Sequence, residues 1–234
     1  MYYGNGLSYY SGYFLVLIGF IITFGAQALV KGNYSKYKKI TNSSKTKGVD
    51  VARTILDAND LKNVKIEQVG GELSDHYDPR DKVVRLSSDI YNGTSVAAMA
   101  VAAHECGHAI QDKLNYGPLR FRSSLVPVVN LCDRLGYIVI MIGLIFGFLN
   151  LSLIGLIILG AVLLFQLVTL PVEFNASSRA KKQIDMLSLG DKETENGISK
   201  MLTAAALTYV ASVINTLFQL LRMFLMIIGN RRRN

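Results

Sequence analysis

Apolar residues in this chain fall into long uncharged runs separated by polar segments. Residues 13–30, 135–149 and 151–170 contain no Asp, Glu, Lys or Arg. The first and third are close to the roughly 20 residues that cross a hydrocarbon core about 30 Å thick, so each is expected to span a membrane as a single helix. The second is shorter and must borrow length from residues 125–132, tilt little, or sit against neighbouring helices. Only Asn150 separates it from the third run, and two apolar helices joined by so short a break read as a transmembrane hairpin. A fourth stretch, residues 204–228, is interrupted by Asn215, Gln219 and Arg222. Their i, i+4, i+7 spacing puts them on one helical face, so this segment either spans or lies in the interface.

The segments between the runs carry different patterns. A polar linker reaches about Gly48, and residues 49–59 form a short helix with Val51, Ile55 and Leu56 on one side. Residues 64–69 alternate apolar and polar, Gly70-Gly71 breaks them, and residues 82–86 form a second β-type run, together predicting a small hairpin or meander. The segment Asp75, His76, Tyr77, Asp78 precedes that run as a polar turn. From residue 94 to about 112 the chain is Ala-rich and helical, with Thr94 or Ser95 available as N-cap.

The expected fold is a mostly α integral membrane protein with three or four transmembrane helices and a small cytosolic zincin-like α+β domain. Its parts are an anchor (1–30), that domain (31–134), a membrane hairpin (135–170), a helix after it (171–203), and a fourth membrane or interfacial helix with a basic tail (204–234).

Composition supports a membrane protein: half of the residues are hydrophobic and the mean hydropathy is +0.30. No basic residue precedes the first run, so it reads as a permanent anchor rather than a cleaved leader. Lys31, Lys36, Lys38, Lys39, Lys45 and Lys47 follow at once, with no acid among them. Basic residues beside membrane ends stay cytoplasmic. The N-terminus is therefore expected outside, residues 31–134 inside, the turn at Asn150 outside, and the chain from Pro171 inside again, at the cell membrane. The net charge of +8 gathers beside apolar runs, which suits anionic lipid at residues 31–47 and argues against nucleic acid. Two cysteines, Cys106 and Cys132, make no disulfide framework.

The chemistry lies in His104-Glu105-Cys106-Gly107-His108. Histidines four apart on a helix project from one face and can ligate one ion. Glu105 beside the first can take a proton from a water in the open coordination position. By chance such a pattern arises in a chain of this size roughly once in a hundred. The plainer alternative is two histidines hydrogen-bonded on a helix surface.

A catalytic zinc needs a third protein ligand. The remaining histidine is His76, and the carboxylate candidate is Glu173, just after Pro171, which suits the first turn of a helix. Glu173 could equally be an acid placed at a helix N-terminus by the dipole. His76, Tyr77 and Arg179 are further candidates for contacts to substrate or to the transition state, although turn-forming and solvated roles explain them as well. Cys106, two residues from His104, points off the ligand face.

With H-E-C-G-H-A on an Ala-rich helix, D-H-Y-D-P at 75–79 and P-V-E-F-N-A-S-S-R-A after a hydrophobic hairpin, the chain resembles the YugP-type neutral zinc metallopeptidases over nearly its whole length. More distantly it is similar to membrane peptidases of the HtpX and CAAX-protease type. The resemblance implies His104, His108 and Glu173 as ligands of one Zn2+ and Glu105 as base. Ser177 stands where those relatives carry Asp, so the part that Asp plays beside a zinc-bound histidine is open here. The expected activity is hydrolysis of peptide bonds in a peptide or protein. The rival readings are a zinc-binding membrane scaffold without turnover, which has no need of Glu105, and a small transporter or channel subunit, which the uncharged second and third runs disfavour.

Overall fold

The computed structural model describes residues 4–231. In chain order it contains α1 (Gly4–Tyr37), α2 (Gly48–Ala58), β1 (Lys65–Val69), β2 (His76–Asp78), β3 (Val83–Ser87), α3 (Ser88–Tyr91), α4 (Val96–Lys113), α5 (Gly117–Ile145), α6 (Leu149–Met186) and α7 (Lys192–Arg231). Among the described residues, four helical segments are long and apolar enough to cross a membrane: Gly12–Tyr37, Gly117–Ile145, Leu149–Met186 and Lys192–Gly229. The fold is mostly helical with a small sheet. Two compact units form, and neither is continuous in sequence.

One unit comprises Met1–Gln27, Phe121–Leu170 and Thr208–Asn234. Its charged residues are Arg122, Asp133, Arg134, Arg222 and the tail Arg231, Arg232 and Arg233. Phe14, Phe20, Ile21 and Phe24 of α1 and Ile157 of α6 are exposed, a surface that suits lipid and would be costly in water. The hairpin turns at residues 146–148, where Gly147 takes a φ of 72°. Asn150, expected to be the break, instead lies in the first turn of α6. Left-handed backbone is open to Gly at no steric cost, so conformation rather than polarity sets the turn. The two arms pack closely: a Cβ on Gly155 would stand 2.7 Å from the main-chain nitrogen of Ile140.

The three polar residues that interrupt the fourth apolar stretch all find partners inside this unit. Asn215 packs at Gly19, where a Cβ would stand 2.8 Å from its Oδ1. Gln219 accepts a hydrogen bond from the Tyr137 hydroxyl at 3.3 Å. The Arg222 guanidinium lies 4.5 Å from the centroid of the Tyr13 ring, within the range of a cation–π contact. Residues 204–228 thus belong to one long helix with a packed polar face.

The other unit comprises Ala28–Arg120 and Pro171–Leu207. Its sheet has the order β1-β3-β2, with β1 and β3 parallel and β2 antiparallel to β3. The expected pairing of 64–69 with 82–86 therefore exists, but not as a hairpin. The hairpin is β2–β3, with His76 opposite Arg85 and Tyr77 opposite Val84. His76 to Asp78, read as part of a turn, form its short edge strand.

An apolar core joins α2, α3 and α4 to β3: Val51, Ala52, Ile55, Leu56, Leu86, Ile90 and Met99 are buried. The small side chains of α4 let its neighbours approach closely, and the Cys106 thiol donates to the Ala52 carbonyl at 3.5 Å. Ser95 caps α4, accepting from the Ala98 amide at 3.1 Å. The segment after α1 is tied to that cap. Val96 N–H donates to the Ile40 carbonyl at 2.8 Å, and buried Asn42 donates to the Thr94 carbonyl at 2.7 Å.

Candidate metal centre

Two helices build the cluster. On α4 the four-residue spacing sets the His104 and His108 rings edge to face, with centroids 4.8 Å apart and planes at 86°. On α6, Glu173 follows Pro171, and here the structure departs from expectation. Pro171 does not begin a helix but sits inside one that runs from Leu149 to Met186. Pro removes a hydrogen bond inside a helix, yet α6 passes through it. Glu173 is therefore a mid-helix residue, and the helix-dipole account of it does not apply.

The Glu173 carboxylate is 3% exposed, and its Oε2 lies 3.2 Å from Nε2 of His104 and 3.7 Å from Nε2 of His108. One donor atom from each of these residues falls within 4.8 Å of the others, and among the described residues this is the group that could hold a metal ion. Two imidazoles and one carboxylate are a donor set that zinc accepts, leaving a position open. The chemistry of the donors and their convergence both fit that ion.

The approach of the two helices depends on Gly107, between the histidines. A Cβ on it would stand 2.5 Å from the Ala176 carbonyl oxygen, so a side chain would push α4 away from α6. Cys106 points into the core, away from the cluster, and burial pushes its thiol pKa up.

Glu105 is buried beside the cluster, and the main chain of Tyr77 on β2 hydrogen bonds to it. Burial pushes its carboxyl up to about 7, the nearby His104 pulls it down, and Glu173 pushes it up. A carboxyl held near neutrality can both take up and release a proton at physiological pH.

Each imidazole has a partner on its outer nitrogen. Ser177 Oγ lies 3.2 Å from Nδ1 of His104. Gln111 Oε1 lies 3.0 Å from Nδ1 of His108. Gln111 carries no motif signature; the signal that could have found it is its place three residues after His108 on the same helical face.

The remaining candidates lie outside the cluster. His76 Nδ1 is 2.8 Å from the Ser74 carbonyl oxygen, on an exposed edge. The Tyr77 hydroxyl donates to Asp112 at 2.6 Å, and Lys82 pairs with the same carboxylate. Arg179 Nε donates to Asn175 Oδ1 at 2.7 Å.

A membrane-type helical protein with a helix-borne His-Glu-x-x-His and a carboxylate on a second helix is the class that this geometry defines. The model of the family described as "Putative neutral zinc metallopeptidase" matches residues 12–228, and the chain belongs to that family. It is 46% identical over 221 residues to the "Putative membrane protease YugP" of Bacillus subtilis (strain 168), covering 94% of this chain and 98% of that protein. No solved structure matches it significantly.

Proposed function

We propose that the chain is a multi-pass membrane zinc peptidase that hydrolyses peptide bonds, with His104, His108 and Glu173 as metal ligands and Glu105 as general base. The observation that carries this reading is the convergence of both Nε2 atoms on one Glu173 oxygen beside buried Glu105. Zinc held there supplies a Lewis acid that polarises the scissile carbonyl and acidifies water. Glu105 takes the proton of the attacking water and passes it to the departing amine nitrogen. Its burial suits both transfers, because a carboxyl near neutrality gives up the proton as readily as it gains it.

The chain passes between its two units four times, after residues 27, 120, 170 and 207, as a four-span protein would. Lys31, Lys36, Lys38 and Lys39 follow the first span within the same unit as the cluster, and by the charge rule their side is the cytoplasmic one. Those lysines lie against anionic lipid, and the substrate is a peptide or protein reaching the site from that side. The test is metal analysis of the purified full chain together with cleavage of a casein-like substrate. Near-stoichiometric zinc is expected, with activity lost to a chelator and restored by zinc. A metal-free chain that takes up no zinc, or cleavage indifferent to the chelator, overturns the reading.

A further inference from the structure

Gln111 is fully buried, at 0% exposure, three residues beyond His108 on α4. Its amide nitrogen donates to the main-chain carbonyl of Val172 at 2.7 Å and to Asn175 Oδ1 at 3.0 Å. These acceptors flank Glu173 on α6. A main-chain carbonyl can only accept, so the amide has one possible orientation, with Oε1 turned toward His108. That oxygen, 3.0 Å from Nδ1, also only accepts. Nδ1 must therefore carry the proton, and the lone pair of the neutral ring is left on Nε2, the atom facing Glu173.

The other imidazole lacks this constraint. Its Nδ1 meets the hydroxyl of Ser177, which donates or accepts as required. Of the two outer partners, only the amide selects a tautomer. Asn175 extends the connection, since its Oδ1 also accepts from Arg179.

We infer that Gln111 is a positioning residue that fixes His108 in its Nδ1–H tautomer and ties that tautomer to the stretch of α6 bearing Glu173. It does so with a neutral amide where carboxylates commonly orient zinc-bound histidines. The inference rests on the reading that His104, His108 and Glu173 hold zinc. A buried amide could instead act only by joining two helices, and the two roles separate by substitution. Gln111→Glu keeps an acceptor for Nδ1–H and loses the donors to Val172 and Asn175. Gln111→Met loses both.

The experiment measures zinc affinity by chelator competition and thermal unfolding on the detergent-solubilised full chain. Both variants should unfold at lower temperature. Gln111→Met should bind zinc ten- to a hundredfold more weakly, the usual loss for such partners, and Gln111→Glu should stay within a few-fold of the parent. Equal losses in the two variants, or none in Gln111→Met, overturn the inference. Nitrogen-15 imidazole spectra of the parent give a readout that does not depend on the variants folding. His108 should show a protonated Nδ1, at alkaline pH without metal as well as with zinc, and a protonated Nε2 overturns the assignment. A parent that takes up no zinc yet shows the Nδ1–H form sinks the metal reading while the tautomer assignment stands.

Discussion

Gly107 on α4 and Ala176 on α6 meet main chain to main chain, with the Ala176 carbonyl oxygen 2.5 Å from where a Gly107 Cβ would be. The residue between the two histidines is thus what lets the helix carrying them approach the helix carrying Glu173. Because backbone rather than a flexible side-chain end blocks the space, Gly107→Ala must move one helix. Overpacking of this kind costs typically 1–3 kcal/mol. The variant is expected to unfold at lower temperature and to bind zinc more weakly even where it folds. Parent-like zinc affinity in a folded Gly107→Ala chain would show that the ligand spacing tolerates the shift.

Glu105→Gln preserves the shape of the side chain and removes its ability to hold a proton. Metal content should be unchanged, and hydrolysis should fall by about 10²- to 10⁴-fold, the usual worth of a general acid–base group. Measured in parallel, zinc stoichiometry and turnover separate this role from a structural one. Unaltered turnover would rule out Glu105 as base, and lost zinc would assign it to holding the metal site.

How much of this was legible in sequence depends on how local each feature is. The helix with its two histidines and the apolar runs declare themselves because their periodicity and composition are contained in a few turns. The path of the chain at Pro171 is not, because Pro marks a helix start or an interior kink with equal local logic. Pairing of β1 with β3 as parallel strands escapes for a different reason: β2 is three residues long, with His76 and Asp78 polar, and its insertion beside β3 is a tertiary choice. The hairpin turn at Gly147 was masked by the more polar Asn150. Gln111 was invisible because an amide acquires meaning only when Val172, from the opposite helix, fixes which way it faces.

Sidedness can be read with single cysteines and an impermeant thiol reagent on intact cells. Ser44 lies next to Ser43, whose hydroxyl accepts from the Asp191 amide at 2.9 Å. The segments around Ser44 and Ser188 therefore share a side, while Asn150 begins the helix beyond the hairpin turn. A cysteine at Asn150 should be labelled, and ones at Ser44 or Ser188 should not, in a background lacking Cys106 and Cys132. Labelling at Ser44 and Ser188 alone inverts the topology, and a split between those two breaks the four-span arrangement.

The third ligand distinguishes this site from a three-histidine one. His76 is the commoner type of zinc partner, but it lies on the exposed edge strand with Nδ1 against the Ser74 carbonyl, outside the cluster formed by His104, His108 and Glu173. Glu173 is buried, offsets one of the two positive charges of the ion, and is carried by a helix interior that α4 meets at Gly107. Removing a direct ligand should cost more affinity than the 10- to 100-fold typical of the groups behind ligands. Glu173→Ala is therefore expected to abolish stoichiometric zinc binding, and to leave the two imidazoles without their shared partner. His76→Ala should retain the metal and at most lower turnover. Zinc titration of the two variants side by side decides the matter: the opposite ranking would mean that β2 moves to bring His76 onto the ion and that Glu173 serves the packing of α6.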